Sequence, residues 1–559
     1  MRNWGLFLFT LAIAIILAVM ASTPPGAQGP DTPSDEFSSA RAMVDVRIIS
    51  AAPHPPGTAE HAKVRAYLQT RLEDIGFEVT ISESEMAQGY LERLNRWSGE
   101  DAASMSIYNI IGVLPGEDRS KKPLLLMAHY DTVWGSPGAA DDTIGVAAIL
   151  EITRALSLED RSRDIVVLFT DAEEIGLVGA RQFYSENPLS DRIGAVINFE
   201  ARGGGGTANM FQTSAQNGDA MRLYAKSVSQ PAASSLSTFV YSILPNDTDL
   251  TPALKRDYIA YNFANIGRAG YYHSPEITPD ALSENTLQHM GVQGLGLSRA
   301  LIGAELPAKS KDAVFFDAYG LFTVLYSAGW GWVFLFICAA CFIASMKGRA
   351  NLKQTLFGSL KMVILLGAGA IGLYLLNKLS GSGASSNYYD RLAAINRLEI
   401  TAAFFALAIL GVLLSFPKMS VSGRFGFILP VFLIGIAGQY FAPTATYFIS
   451  IPLLFAGVIL VLQAKWPGSG VTSGLTVLLS AAALGYMIYL GHYLMLGVGA
   501  DMMFVVILPI AIGAMMIVPA TPQLSKRAGS ALSVAALLVS VGVALWVRLD
   551  PIASTVPLY

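Results

Sequence analysis

From residue 321 to residue 547 the chain consists almost wholly of apolar runs separated by short polar breaks. Eight such runs can be marked: 321–346, 356–376, 399–416, 426–441, 444–463, 474–497, 501–519 and 528–547. A hydrocarbon core of about 30 Å needs roughly 20 apolar residues of helix to cross it. Lipid offers the backbone no hydrogen bonds, so runs of this kind have to be helical. The expectation is an all-α, eight-span membrane domain over 321–547, followed by a C-terminal tail at 548–559. The runs 426–441 and 444–463 are short and flank Phe441-Ala442-Pro443, so a re-entrant pair is the alternative there. A ninth apolar run, Trp4 to Ala21, follows Arg2 and makes residues 1–22 an N-terminal membrane anchor or signal. Lys347, Arg349, Lys353, Lys418, Arg424, Lys465, Lys526 and Arg527 then fall on one side of the bilayer. The positive-inside rule makes that side cytoplasmic and the region after residue 22 extracytoplasmic.

The intervening part has a soluble composition. Residues 23–44 are rich in Pro, Ser, Gly and Asp and read as a linker. Residues 45–305 alternate strand and helix signals, and 306–320 read as a connector. PLLLMAH, DIVVLFT and AVINFE are continuous apolar strands. IGVAAILEITRAL and Ala281–Ile302 are helical by period. Unbroken apolar strands between helices predict an α/β domain, with a mainly parallel mixed sheet flanked by helices.

Chemistry-bearing residues cluster where these strands end. His129 closes one strand, with Asp131 two residues on. A Gly-rich loop leads to Asp141-Asp142 and a helix. The next strand runs into Glu173-Glu174, a later one ends at Glu200, and a turn presents Tyr272-His273. Ligand sites of open α/β sheets lie at such strand ends. Imidazoles, carboxylates, one carboxylate able to bridge, and a base to deprotonate water make up a two-metal hydrolytic site. Taken singly, each feature has an ordinary reading: a loop ion pair, a helix N-cap, a solvated acidic face. Their joint occurrence in this order makes the metal reading the stronger one. His54, His61 and His289 read as satisfied structural histidines. Asp247 and Asp249 fall in a polar loop.

The order AHYD, GAADD, DAEE, NFE, YYH is similar to that of the di-zinc exopeptidases, the family of secreted bacterial aminopeptidases, over residues 45–302. With the multi-span region and the joining segment AVFFDAYGLFTVLYS, the chain resembles that family's membrane branch, which includes endoplasmic reticulum metallopeptidases and vacuolar membrane proteases. The resemblance implies a zinc-exopeptidase fold and two Zn2+ per chain. His129 and Glu200 would hold one ion, Glu174 and His273 the other, and Asp141 would bridge them. Glu173 would be the general base, Tyr272 would steady the oxyanion, and Asp131 would fix the His129 tautomer. It also implies a cis peptide after Asp141. Glu200 stands where many soluble members have Asp. SPEITPD follows His273 in place of the commoner HTxxD, with Glu276 as a substitute acid. Arg202, two residues after Glu200, is a candidate for a substrate carboxylate.

A net charge of −4 and the lack of a basic tract argue against nucleic acid. The implied partners are a peptide substrate, the lipid bilayer and a membrane protein held by the C-terminal bundle. A single glycosylation acceptor, Asn246-Asp-Thr, favours the periplasmic face of a bacterial inner membrane over a eukaryotic lumen. The alternatives are a catalytically silent assembly protein with a peptidase-like outer domain, or a transporter carrying one. His492 is the mid-span ionisable residue, and a helix-packing hydrogen bond is the expectation for it.

Overall fold

The computed structural model describes residues 2–303, 305–383 and 387–550. The chain forms two compact units: residues 23–325, and residues 2–22 together with 326–550. Residues 551–559 of the expected tail lie outside the described residues.

The first unit is built on a seven-stranded sheet. Its strands are β1 (Glu78–Glu85), β2 (Ser106–Leu114), β3 (Leu124–His129), β4 (Ile165–Thr170), β5 (Ala195–Ala201), β6 (Gly205–Thr213) and β7 (Ile259–Gly267). Their order across the sheet is β1-β2-β4-β3-β5-β7-β6. β4, β3, β5 and β7 run parallel, and β1, β2 and β6 are antiparallel additions. β3 (LLLMAH) and β4 (IVVLFT) are buried at every position, because helices cover both faces of the sheet. The helices Ser39–Ile49, Thr143–Ser157 and Glu284–Gly303 share one core with β3 and β5. The α/β expectation therefore holds. β6 was not anticipated, because its GGTANMFQT sequence opens on glycines and lacks an apolar run.

Two elements differ from the sequence expectation. Much of the 23–44 linker is docked: Phe37 is 2% exposed and packs on Gly291. Ala27 N–H donates to Asn285 Oδ1 at 2.8 Å, and Arg41 Nε to Glu151 Oε1 at 2.8 Å. One buried aromatic side chain, one half-buried ion pair and backbone hydrogen bonds dock a segment of linker-like composition. Second, the 321–346 run is helical only over Trp330–Met346, because Thr323–Ser327 pairs as a strand with Ala313–Asp317.

In the second unit, seven helices among the described residues are long and apolar enough to cross a membrane, and Trp330–Met346 is a shorter apolar one. The runs 474–497 and 501–519 form one helical stretch, Gly470–Ile517, of 48 residues. At 1.5 Å per residue it would measure about 70 Å if straight, enough for two crossings. It is interrupted by a π turn at Met495–Gly499 and a 3-10 turn at Met503–Val506. Val421–Phe441 and Tyr447–Lys465 are each of spanning length. Small residues set the packing: a Cβ on Gly426 or Gly358 would strike the facing backbone at Thr355 or Gly423. His492 Nδ1 lies 2.6 Å from Glu399 Oε1, a hydrogen bond between two helices.

Candidate metal centre

The sheet order explains where the site forms. The chain leaves β3, pairs β4 on one side of it, then crosses to place β5 on the other. The switch point opens a crevice at the C-terminal ends of these strands. The β3–β5 register pairs Met127 with Asn198, and two residues further along it sets His129 beside Glu200. With a two-residue side-chain period both face the same way. His129 Nε2 is 3.9 Å from Glu200 Oε2.

Asp141 comes from the loop between β3 and the helix Thr143–Ser157. That loop is drawn tight at Gly138, whose φ is 66°. A Cβ there would overlap Thr132 and lie 2.7 Å from the Asp141 carbonyl oxygen. Asp142 caps the helix, accepting from Gly145 N–H at 3.3 Å, and the Asp141–Asp142 peptide is cis. The carboxylate of Asp141 reaches two imidazoles. Oδ1 is 3.0 Å from His129 Nε2, and Oδ2 is 3.2 Å from His273 Nε2. His273 Nε2 is also 3.1 Å from Glu174 Oε1. Two trios result, His129–Asp141–Glu200 and Asp141–Glu174–His273, and within each the donor atoms lie within 4.8 Å of one another.

The turn after β4 carries Glu173 and Glu174. Asp131 holds it: Oδ1 accepts from Glu173 N–H at 2.9 Å and Oδ2 from Glu174 N–H at 3.3 Å. Against His129, the backbone carbonyl of Asp131 is closer to Nδ1, at 3.0 Å, than its carboxylate, at 3.5 Å. The Asp131 segment thus supports the ring through its carbonyl and the Glu173–Glu174 turn through its side chain.

Burial and like charge shift the carboxyls of the cluster, and the two imidazoles oppose those shifts. Burial pushes the Glu173 carboxyl well above the usual range, and Glu200, Asp249 and Glu174 add to that against the opposing pull of His129. Burial likewise raises Glu174, and lifts Glu200 to about 8. Burial would raise Asp141 too, but hydrogen bonds from His129 and His273 outweigh it and hold it at about 2. Burial opposes charge on His129 and His273, yet the surrounding carboxylates lift both well above the ordinary imidazole range. Glu174 Oε1 is buried, and its contact with His273 Nε2 at 3.1 Å is an ion-pair approach without hydrogen-bond geometry. Nitrogen and carboxylate donors converging at these separations, with one carboxylate oxygen lacking a hydrogen-bond donor of good geometry, fit divalent cations of zinc type.

The remaining candidates have separate places. Tyr272 stacks on His273, with ring centroids 3.8 Å apart. Glu276 and Asp247 are exposed. Asp249 is fully buried, accepts from the Thr170 hydroxyl, and is raised by burial to about 6. Arg202 is half-buried, and its backbone N–H donates to Asn265 at 2.8 Å. His61 pairs with Asp171 at 3.1 Å and stacks on Tyr130. His54 is buried with Nδ1 3.0 Å from the Ala52 carbonyl. His289 is buried between Ala208 N–H and the Gln230 carbonyl. Sequence reasoning missed Asn198, whose Nδ2 donates to Glu200 Oε1 at 3.2 Å. Its position two residues before Glu200, on the same strand face, was the available signal.

The fold and this site define the class: an α/β unit with a candidate metal centre at its strand ends, joined in one chain to an apolar helical unit. Residues 109–295 match Peptidase family M28, a segment that contains all five candidate ligands and Glu173. The chain is similar to the putative endoplasmic reticulum metallopeptidase 1-A of Caenorhabditis elegans, 28% identical over 64% of this chain and 42% of that protein. It is also similar to the vacuolar membrane protease of Eremothecium gossypii, 31% identical over 52% of this chain and 30% of that protein. The chain thus spans less than half the length of these two relatives. Among solved structures, a zinc aminopeptidase from Bacillus subtilis is 15% identical, covers 50% of this chain and 98% of its own, and has a TM-score of 0.39.

Proposed function

We propose that the chain is a membrane-anchored zinc metallopeptidase that hydrolyses peptide bonds at a chain end, aminopeptidase-like, with two Zn2+ per chain. The observation that carries this reading is Asp141, whose two carboxylate oxygens each face a different imidazole, at 3.0 and 3.2 Å. His129 and Glu200 would hold one ion and Glu174 and His273 the other, with Asp141 common to both. Bound there, the ions would supply Lewis-acid polarisation of the scissile carbonyl and acidify water. Glu173 takes a proton from the attacking water and returns it to the leaving amine. Burial raises the proton affinity of the Glu173 carboxyl, the direction that favours taking up that proton. Asp131 keeps Glu173 in place through the backbone. Tyr272, packed on His273, steadies the developing oxyanion. Asn198 orients Glu200.

The peptidase unit is extracytoplasmic in this reading: periplasmic in a bacterium, lumenal in a eukaryote. The apolar helices anchor it in the bilayer and offer a surface to a membrane protein partner. The test uses the purified full chain in detergent, with a panel of free dipeptides and of peptides blocked at either end. Cleavage that requires a free amino end, together with about two zinc ions per chain by elemental analysis, is the expected result. Less than one zinc, or full activity in Glu173→Gln, overturns the reading.

A further inference from the structure

Lys361, Lys418 and Arg424 line one cavity of ≈390 Å³ within the apolar helical unit. They come from the helix Leu352–Leu379, from the loop after Ile395–Ser415, and from the first turn of Val421–Phe441. No acidic side chain is among the described residues that line it. Arg424 Nε, Gln463 Oε1 and Thr476 Oγ1 all belong to lining residues, and each of these atoms is buried with no hydrogen bond. Lys361 Nζ lies 4.4 Å over the Phe416 ring and 4.7 Å over Phe357, so its charge is held at the wall by aromatic faces. A guanidinium nitrogen buried among apolar helices without an acceptor is costly, and ionisable groups in such places pair with a counter-charge or mark a ligand path.

The rest of the lining indicates what kind of anion fits. Leu6, Leu413 and Val477 give the cavity apolar walls beside its cations. A small hydrated anion gains nothing from those walls, whereas a phosphate joined to hydrocarbon uses both. Arg and Lys together suit phosphate oxygens, Arg through its planar fork and Lys as a point charge. Lys418 and Arg424 also lie at the span ends that charge bias assigns to the cytoplasmic side, where anionic lipids attract basic segments.

We propose that this cavity binds the phosphate headgroup of an anionic phospholipid. Arg424, Lys361 and Lys418 surround the phosphate, Gln463 and Thr476 meet the glycerol or headgroup oxygens, and an acyl chain lies along Leu6, Leu413 and Val477. The site is remote in sequence from the peptidase segment and does not depend on its chemistry.

The full chain is reconstituted in nanodiscs of phosphatidylcholine containing a minor fraction of phosphatidylglycerol, and lipid retained after detergent extraction is quantified by native mass spectrometry. Wild type is expected to retain phosphatidylglycerol about tenfold over its bulk share, with R424Q and K361Q falling to the bulk ratio. K353Q removes an exposed lysine outside the cavity and retains the wild-type ratio. If R424Q or K361Q does not fold, K418Q, at an exposed position, decides by the same loss. Equal retention in wild type and the cavity variants, or an equal loss in K353Q, overturns the proposal. Displacement of the lipid by millimolar inorganic phosphate overturns the lipid source in favour of the free anion.

Discussion

Asp131 binds the turn that carries Glu173 through the backbone, its carboxylate accepting from Glu173 N–H at 2.9 Å. The same carboxylate accepts from Glu174 N–H at 3.3 Å, and the carbonyl of Asp131 is 3.0 Å from His129 Nδ1. One residue therefore ties a candidate ligand on β3 to the candidate base and a candidate ligand after β4. Asp131→Asn exchanges one acceptor oxygen for a donor facing an N–H. A fall in kcat of about 10²-fold, with KM little changed, is the expected effect, since a displaced base costs turnover more than binding. Steady-state kinetics with elemental analysis check it, and zinc content should stay near that of wild type.

Asp141 and Glu173 should separate metal binding from proton transfer. Asp141→Ala removes the carboxylate that both trios share, so zinc content should drop by at least half together with activity. Glu173→Gln keeps both trios and should lose activity by about 10²–10⁴-fold while retaining zinc. Elemental analysis of the two variants, beside the peptide assay, distinguishes them.

His289 gives a pH dependence separate from the metal centre. It is buried as a neutral ring, and burial lowers its pKa to about 4 from the usual 6.5. The unfolded chain therefore binds this proton more readily than the folded one. The stability tied to the neutral ring is fully present above about pH 6.5 and is lost as pH falls from there toward about 4, on the order of 3 kcal/mol in all. Thermal unfolding of metal-free full-length chain should show a shallower acid slope over that window in His289→Gln than in wild type.

Gly138 tests how tightly the Asp141 loop must close. At φ 66° and against Thr132, Gly138→Ala is strained in backbone and in packing. A destabilisation of about 1–3 kcal/mol is expected, with weaker zinc retention on dialysis against a chelator. An exposed positive-φ glycine with open space around it, Gly99, is the control and should cost only the backbone part.

The sequence by itself determined the α/β character of residues 45–305 and the helical character of the apolar region beyond residue 329. Both rest on local composition: LLLMAH and IVVLFT are too short for helices and, set between helical periods, read as strands buried on two faces, while runs near twenty apolar residues have to be helical in lipid. It also placed His129 and Glu200 at strand ends and Glu174 just past one, because the strand signal stops there. Tertiary structure alone decided the rest. That His129 and Glu200 stand side by side depends on the β3–β5 register, and Asp141 meets His273 across 132 residues of chain through the crossover. Asp131 faces the Glu173 N–H for the same reason, since β3 and β4 are neighbours only once the sheet forms. The docking of Phe37 on Gly291 was hidden because a linker-like composition says nothing about a single buried ring. The strand at Thr323–Ser327 was hidden because hydrophobicity does not report hydrogen-bond pairing. Period and composition are local and can be read along the chain, whereas register and crossover order are set by which surfaces bury each other.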